Sequence, residues 1–386
     1  MSKTKIPEKI KIRLWVMAAG RCQYEGCNQT LYTDTITKKD FNIAYIAHIV
    51  ADRPEGPRGD EVLSDKLKSD ISNLMLMCDT HHRLIDQEDE EGHPVEKLQE
   101  MKRKHEQRIQ MLTSIKEDRQ SHVLLYGANI GQHFAPVSWE RAKEAMLPEF
   151  YPAEKTAIEL GLRNSSFQDE EDFFWEMERQ NLRRHFLDKV KRRMESGELS
   201  KLSVFALAPQ PLLVELGTLL SDIPAADVYQ LHREPANWCW QPHPEPFSYT
   251  VIEPTAISRK IALNLSISAT IDNSRIAKVV GEETSIWTMT VETPNNDFLR
   301  SKQQLSLFRQ EFRLLMDRIK AVHGEDSELH VFPAVPVAIA VEIGRVWMPK
   351  ADLPLIVYDQ NRSKGGFTQT LVISSEKKHL IAGFVS

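Results

Sequence analysis

The sequence predicts a multidomain α/β protein in which a small metal-binding module precedes a duplicated strand, helix, strand unit. Three observations carry that expectation. Cys22, Cys27 and Cys78 cluster in the first 80 residues beside the adjacent pair His81 and His82. After Ser121, short apolar segments alternate with amphipathic stretches, so that strands and helices take turns along the chain. Residues 202–217 (LSVFALAPQPLLVELG) return as residues 329–344 (LHVFPAVPVAIAVEIG) at a constant offset of 127, with seven identities in sixteen positions.

The 386 residues are 41% hydrophobic and 27% charged, enough for two or three ordinary cores. No apolar run approaches the roughly 20 residues of a membrane span, and the start MSKTKIPEKIKIR lacks the apolar centre of a secretion signal. A cytoplasmic protein with no membrane partner is therefore expected. Four cysteines cannot build a disulfide framework, and in a reducing compartment their clustering points to metal. A net charge of −6 gives no global attraction to nucleic acid, so any such contact must be local. Residues 1–21 hold Lys3, Lys5, Lys9, Lys11, Arg13 and Arg21 against Glu8 alone, which suits a phosphate-facing patch and an exposed arm equally.

Within the N-terminal module, Cys22 and Cys27 flank a tight knuckle containing Gly26, and Cys78 with His81 supplies two further donors. Three thiolates and one imidazole make a closed tetrahedral Zn2+ site of structural type. His82 neighbours His81, so its side chain must point elsewhere. With Asp86 four residues on, on one face of a helix, it can hold a second cation, Mg2+ or another divalent ion. Asn73 is placed to fix the loop carrying His48 through its side-chain amide. His93 reads as a helix-start residue before Pro94. A helix follows, with Val95, Leu98, Met101, His105, Ile109, Leu112 and Ile115 at spacings of three and four, and Lys102, Arg103, Lys104 and Arg108 on a solvated face. These signals divide the chain into a module at 1–93, a helical connector at 94–120 and an α/β region at 121–386.

Each repeated segment in that region reads as a buried strand, a Pro near the first turn of an apolar helix, and a strand ending in VYQ or VYD. A helix precedes each copy and ends at Gly197 or Gly324, again 127 apart. A parallel sheet is expected, with ligands at the carboxyl ends of its strands, where helix N-termini offer N–H groups to anions. A related pair of such ends suits a ligand with two or more phosphates. The candidate contacts are Pro209 and Gln210 at the first copy, Phe332, Pro333 and Ala334 at the second, and Ser266 and Ser268 in NLSIS, which a half-buried strand also explains. His232, Arg233, Trp238 and Trp240 form a basic and aromatic cluster suited to phosphate contact and base stacking, although a packed corner explains the two tryptophans as well. Lys364 with Gly365 and Gly366 is a basic loop able to close over an anion.

Residues 15–90, with the cysteine knuckle, Ala47-His48-Ile49, the Asn73 to Cys78 segment, His81-His82 and HRLID, resemble the HNH or ββα-metal endonucleases. The resemblance implies that His48 is the general base, Asn73 orients it, His82 binds the catalytic metal and Asp86 is a second ligand. Ala47 departs from the pattern, because many members carry a ligand at that position. The segments VFALAPQPL, YQLHREPANWCWQ, NLSISATI, TPNND and the stretch from His330 to Asn361 resemble a SAVED domain, a fusion of two CARF-like, Rossmann-like nucleotide-sensing units. The combination closely resembles the HNH-SAVED effectors of bacterial CBASS antiphage systems over nearly the whole chain. It implies a metal-dependent endonuclease acting on double-stranded DNA and activated by a cyclic di- or trinucleotide that a partner nucleotidyltransferase makes. Binding would drive formation of a homo-oligomer. Two other readings stay open: a non-catalytic zinc-containing DNA-binding or scaffolding module under a nucleotide sensor, which Ala47 favours, and an ungated restriction nuclease.

Overall fold

The computed structural model describes residues 4–33, 37–115, 117–130, 137–161, 167–221, 223, 225–361 and 363–375; Lys3 of the basic patch lies outside them. It divides into two compact units, Met1–Glu117 and Asp118–Ser386.

In the first unit the strands Tyr45–His48 and Leu74–Met77 pair antiparallel, with His48 opposite Leu74. The second strand, LMLM, is buried throughout, and the first buries only Ala47 and His48 at its end. A short helix, Asp79–Arg83, follows directly and is continued by the π-helical turn Leu84–Glu88. The helix Glu8–Met17 contributes Leu14 to a core shared with Ile49, Leu74, Leu76 and Ile85. The helix Val95–Thr113, expected to connect two domains, inserts Leu98 and Met101 into that same core, so the first unit closes on it and runs to Glu117. Its charged face divides: Arg103, Lys104 and Arg108 are exposed, whereas Lys102 is buried in an ion pair with Glu106 rather than solvated. Of the N-terminal basic residues, Lys5, Lys9 and Arg13 are exposed, and Arg21 bonds Asn28 O at 3.1 Å within the knuckle.

The second unit holds two sheets. In one, Tyr151–Pro152, Gln120–Gly127, Leu202–Leu207 and Ala226–Val228 lie side by side, all parallel. In the other the order is Gly366–Ile373, Leu355–Asn361, Leu329–Ala334, Lys260–Ser266, Thr284–Thr290, Thr250–Ile252. Its four central strands are parallel, and its two edge strands are antiparallel, which corrects the all-parallel expectation. The edge strand Gly366–Ile373 follows its neighbour through a turn too short for a crossover, and such a turn allows only antiparallel pairing.

The duplication is visible in the topology. Leu202–Leu207 lies between Gln120–Gly127 and Ala226–Val228, as Leu329–Ala334 lies between Lys260–Ser266 and Leu355–Asn361. The helices after the repeated strands, Gln210–Leu220 and Val337–Val346, pack directly on each other. Gly217 and Gly344 permit this: a Cβ on Gly217 would stand 2.0 Å from Val341 O, and one on Gly344 1.9 Å from Val214 O. The repeated glutamates are fully buried on these helices and neutralised by arginine. Glu215 pairs with Arg179 at 3.2 Å and Arg183 at 2.5 Å, and Glu342 with Arg309 at 3.3 Å and Arg345 at 2.9 Å. The long amphipathic helix Lys302–His323 starts in a capping box between Ser301 and Gln304.

Candidate functional site

The N-terminal unit brings Cys22, Cys27, Cys78 and His81 together. Their donor atoms all lie within 4.8 Å of one another, with Cys78 Sγ 3.1 Å and Cys22 Sγ 3.8 Å from His81 Nδ1. Cys78 stands where the buried strand ends and the helix begins, so one turn carries His81 back over the knuckle. Burial pushes the Cys22 thiol up to about 12, and Cys78 is raised for the same reason. Three converging thiols and an imidazole fit a tetrahedral zinc site.

A support that the sequence reading missed surrounds this cluster. Tyr24 stacks on His81 with ring centroids 4.1 Å apart. His93 donates from Nδ1 to Asp89 O at 2.6 Å, which leaves Nε2 to accept from the Tyr24 hydroxyl at 2.9 Å. His93 thus does more than start a helix.

His82 faces the other way. It stacks on Tyr45 at 4.9 Å, and its Nε2 lies 3.4 Å from Asp86 Oδ2. Burial lowers its pKa against the pull of Asp86, which favours the neutral imidazole a metal needs. The other Asp86 oxygen, Oδ1, is 2.6 Å from the guanidinium of Arg58, a residue the sequence reading did not single out. His48 ends its strand 7% exposed and donates from Nε2 to Lys68 O at 2.9 Å, leaving Nδ1 with the lone pair. Asn73 is buried, donates to Val50 O and accepts from Val50 N, each at 2.8 Å, and so fixes the chain two residues beyond His48. Ala47 is 1% exposed and packs in the core.

In the second unit a cleft of about 1110 Å³ opens at the carboxyl ends of the repeated strands, between the N-termini of the two packed helices. Of the candidate contacts, Pro209, Gln210, His232, Arg233 and Ser268 line it. Gln210 accepts from Val335 N and Gln230 from Ala338 N, both at 3.2 Å, so each glutamine of the first copy reaches the second. His232 is 2% exposed, and neither ring nitrogen has a partner among the described residues; burial lowers its pKa. Arg141 adds a second cation to the lining, and Asp169, Glu170 and Asp359 add carboxylates. Burial, with Asp169 nearby, raises Asp359 to about 7.

The remaining candidates lie outside the cleft lining. Phe332 is fully buried and stacks on Tyr358 at 4.4 Å, because an inner strand turns that face to the core. Pro333 is buried in the same strand, and Ala334 uses its carbonyl to accept from Ile267 and Ser268. Ser266 is buried, bonded to Asn264 and to Ile271 N. Trp238 is 2% exposed, edge-on to Phe205, and Trp240 packs beside Tyr229 and His232; both belong to a packed corner rather than a stacking platform. Lys364 stands on the exposed hairpin turn after Asn361.

Residues 182–373 match the family model of the SMODS-associated and fused to various effectors sensor domain, SAVED. The chain is similar to the Acinetobacter baumannii Cap4 SAVED/CARF-domain containing receptor with the cyclic trinucleotide 2'3'3'-cAAA, at 12% identity and a TM-score of 0.42 over 72% of this chain and 60% of that one. It is similar also to the Moraxella osloensis Cap4 SAVED/CARF-domain containing receptor, at 12% identity and a TM-score of 0.38 over 72% and 60%. The chain thus spans about 60% of the length of these receptors. No curated protein matches it. The C-terminal unit is an α/β sensor fold. More particularly, it carries a SAVED domain, and no helix among the described residues is long and apolar enough to cross a membrane.

Proposed function

We propose that this protein is a metal-dependent double-stranded DNA endonuclease, activated when a cyclic di- or trinucleotide binds its SAVED domain, that degrades DNA in antiphage defence. The observation that carries the nuclease half is the divergence of two adjacent histidines. His81 turns into the cysteine cluster, while His82 turns to Asp86. One centre then braces the fold with Zn2+, and the other is free for chemistry.

In this reading His48 Nδ1 takes the proton from the water that attacks phosphorus, since its other nitrogen is held by Lys68 O. Asn73 keeps the end of the His48 strand in place through Val50. His82 and Asp86 would hold the second cation, Mg2+ or another divalent ion, which when bound supplies positive charge against the scissile phosphate and the departing 3' oxygen.

The sensor half rests on the SAVED match and on the cleft. Its volume of about 1110 Å³ exceeds the roughly 300–1,000 Å³ of ordinary small-molecule sites, and Arg141 and Arg233 suit phosphates. A messenger made by a partner nucleotidyltransferase would bind the assembled state more tightly than the dispersed one and so shift the chain into a homo-oligomer. Assembly would combine weak basic patches into one DNA-binding surface, which a chain of net charge −6 needs.

The test is plasmid cleavage with divalent metal and a panel of cyclic di- and trinucleotides. One messenger should trigger cutting that His48→Ala abolishes; no cutting with any of them refutes the proposal. Ala47, buried where a ligand is missing, favours the alternative of a non-catalytic zinc module. That alternative predicts one zinc per chain and no response to added magnesium or manganese.

A further inference from the structure

Arg58 makes four side-chain bonds in the first unit. Its guanidinium donates to Ile49 O at 2.8 Å, Ile85 O at 2.5 Å, His48 O at 3.4 Å and Asp86 Oδ1 at 2.6 Å. The side chain is only 6% exposed, and the backbone sits at φ 55, a left-handed conformation that a non-glycine residue adopts at a cost. It ties the strand end bearing His48 to the helical turn bearing Asp86, and it does so with a full positive charge.

That charge matters to a cation site. A divalent ion with oxygen ligands is held according to how many anionic ligands it meets. The pair facing the second site offers one neutral imidazole, His82, and one carboxylate, Asp86, whose charge Arg58 already cancels. The two donors and Arg58 sum to zero, and Asp79, hydrogen-bonded to Tyr45 beside His82, adds a carboxylate that acts on the site without belonging to the facing pair, so a free divalent ion gains little by entering. A DNA phosphate would bring the missing negative charge.

We propose that Arg58 keeps the second cation site weak until DNA arrives, so that metal entry depends on the scissile phosphate. The inference rests on the nuclease reading and deepens it. Arg58 is in this sense a positioning residue: it acts through Asp86 and through the His48 strand end and touches no reacting atom.

The experiment follows Mn2+ by the loss of its free-ion electron paramagnetic resonance signal, using the full chain loaded with zinc. Mn2+ prefers oxygen and nitrogen donors and does not compete for the cysteine cluster. Wild type should take up Mn2+ weakly alone, and at least about tenfold more tightly with the activating messenger and a non-hydrolysable phosphorothioate duplex. Arg58→Gln frees Asp86 and should tighten DNA-free Mn2+ binding by at least about tenfold while lowering cleavage. Arg58→Lys keeps the charge and should bind DNA-free Mn2+ as weakly as wild type, yet still cut poorly because a point donor cannot bridge four acceptors. DNA-free affinity no tighter in Arg58→Gln, or no gain from DNA in wild type, overturns the proposal. Should Arg58→Gln lose its zinc, the lysine variant and the wild-type comparison with and without DNA decide it. The DNA-free arm reads Arg58 without any cutting, so a failure of the nuclease reading shows separately, as absent cleavage by wild type.

Discussion

Replacing Gly344 with alanine tests whether the two copies of the repeat are held together by direct helix contact. The new Cβ would fall 1.9 Å from Val214 O, 2.7 Å from Thr218 N and 2.9 Å from the Gly217 Cα. A carbon and a carbonyl oxygen normally approach no closer than about 3.3 Å, so the helices must part by more than about 1 Å. None of the three atoms is the far end of a flexible side chain, and no rotamer change relieves the clash. A gap of that size costs roughly a quarter to a half of each dispersion contact along a seam whose side chains, Leu213, Leu216, Ile339, Ala340 and Ile343 among them, are fully buried. Overpacking of this kind costs up to about 3 kcal/mol, and alanine returns about 1 kcal/mol through its better helix propensity. The net expectation is a loss of about 2 kcal/mol. Urea unfolding of the full chain measures it, and ligand binding should weaken too, because Gln210 and Pro336 of the cleft stand at the N-terminal ends of these helices. A Gly344→Ala protein as stable as wild type would refute the argument.

The remaining predictions concern the two sites. If the cysteine cluster holds zinc as proposed, elemental analysis should find one per chain in wild type and none in Cys78→Ser, and the variant should lower the melting temperature of the first unit while leaving unfolding of the second unchanged. Because burial raises Asp359 to about 7, its carboxyl is mostly neutral at pH 6 and mostly charged at pH 8. An anionic cyclic nucleotide should therefore bind more weakly as pH rises through that range. Asp359→Asn should flatten this part of the profile in a calorimetric titration, and an unchanged slope would remove Asp359 from the binding account.

How much of this was legible in the sequence follows from what fixes each feature. The cysteine and histidine cluster could be read because each half is set by local spacing, a four-residue knuckle for Cys22 and Cys27 and one helical turn for Cys78 and His81, and the donor types call for four ligands, although only the fold brings the two halves together. The duplication was equally open, since identical residues at one offset include Gly217 with Gly344 and Glu215 with Glu342, which do the same work in both copies. Composition does not say which face of a strand or loop turns inward: Phe332, expected at the ligand, turns to the core, and of the two readings left open for Trp238 the packed corner is the one that holds. Arg58 was invisible for another reason. Its four acceptors come from a strand end and a helical turn that only tertiary folding brings beside it. The carboxylates of the cleft, Asp169 and Asp359, are likewise gathered from segments nearly 200 residues apart.

The glutamines that cross the cleft break the likeness between its two sides. Neither helix is capped by the side chain of its own N-cap proline, but Gln230 from the first copy accepts from Ala338 N in the first turn of the second copy's helix, while Gln210, at the start of the first copy's helix, accepts from Val335 N of the second copy. Backbone kinship therefore does not extend to the polar atoms at the mouth, and a ring of identical nucleotides entering there would find unlike neighbours at its opposite edges.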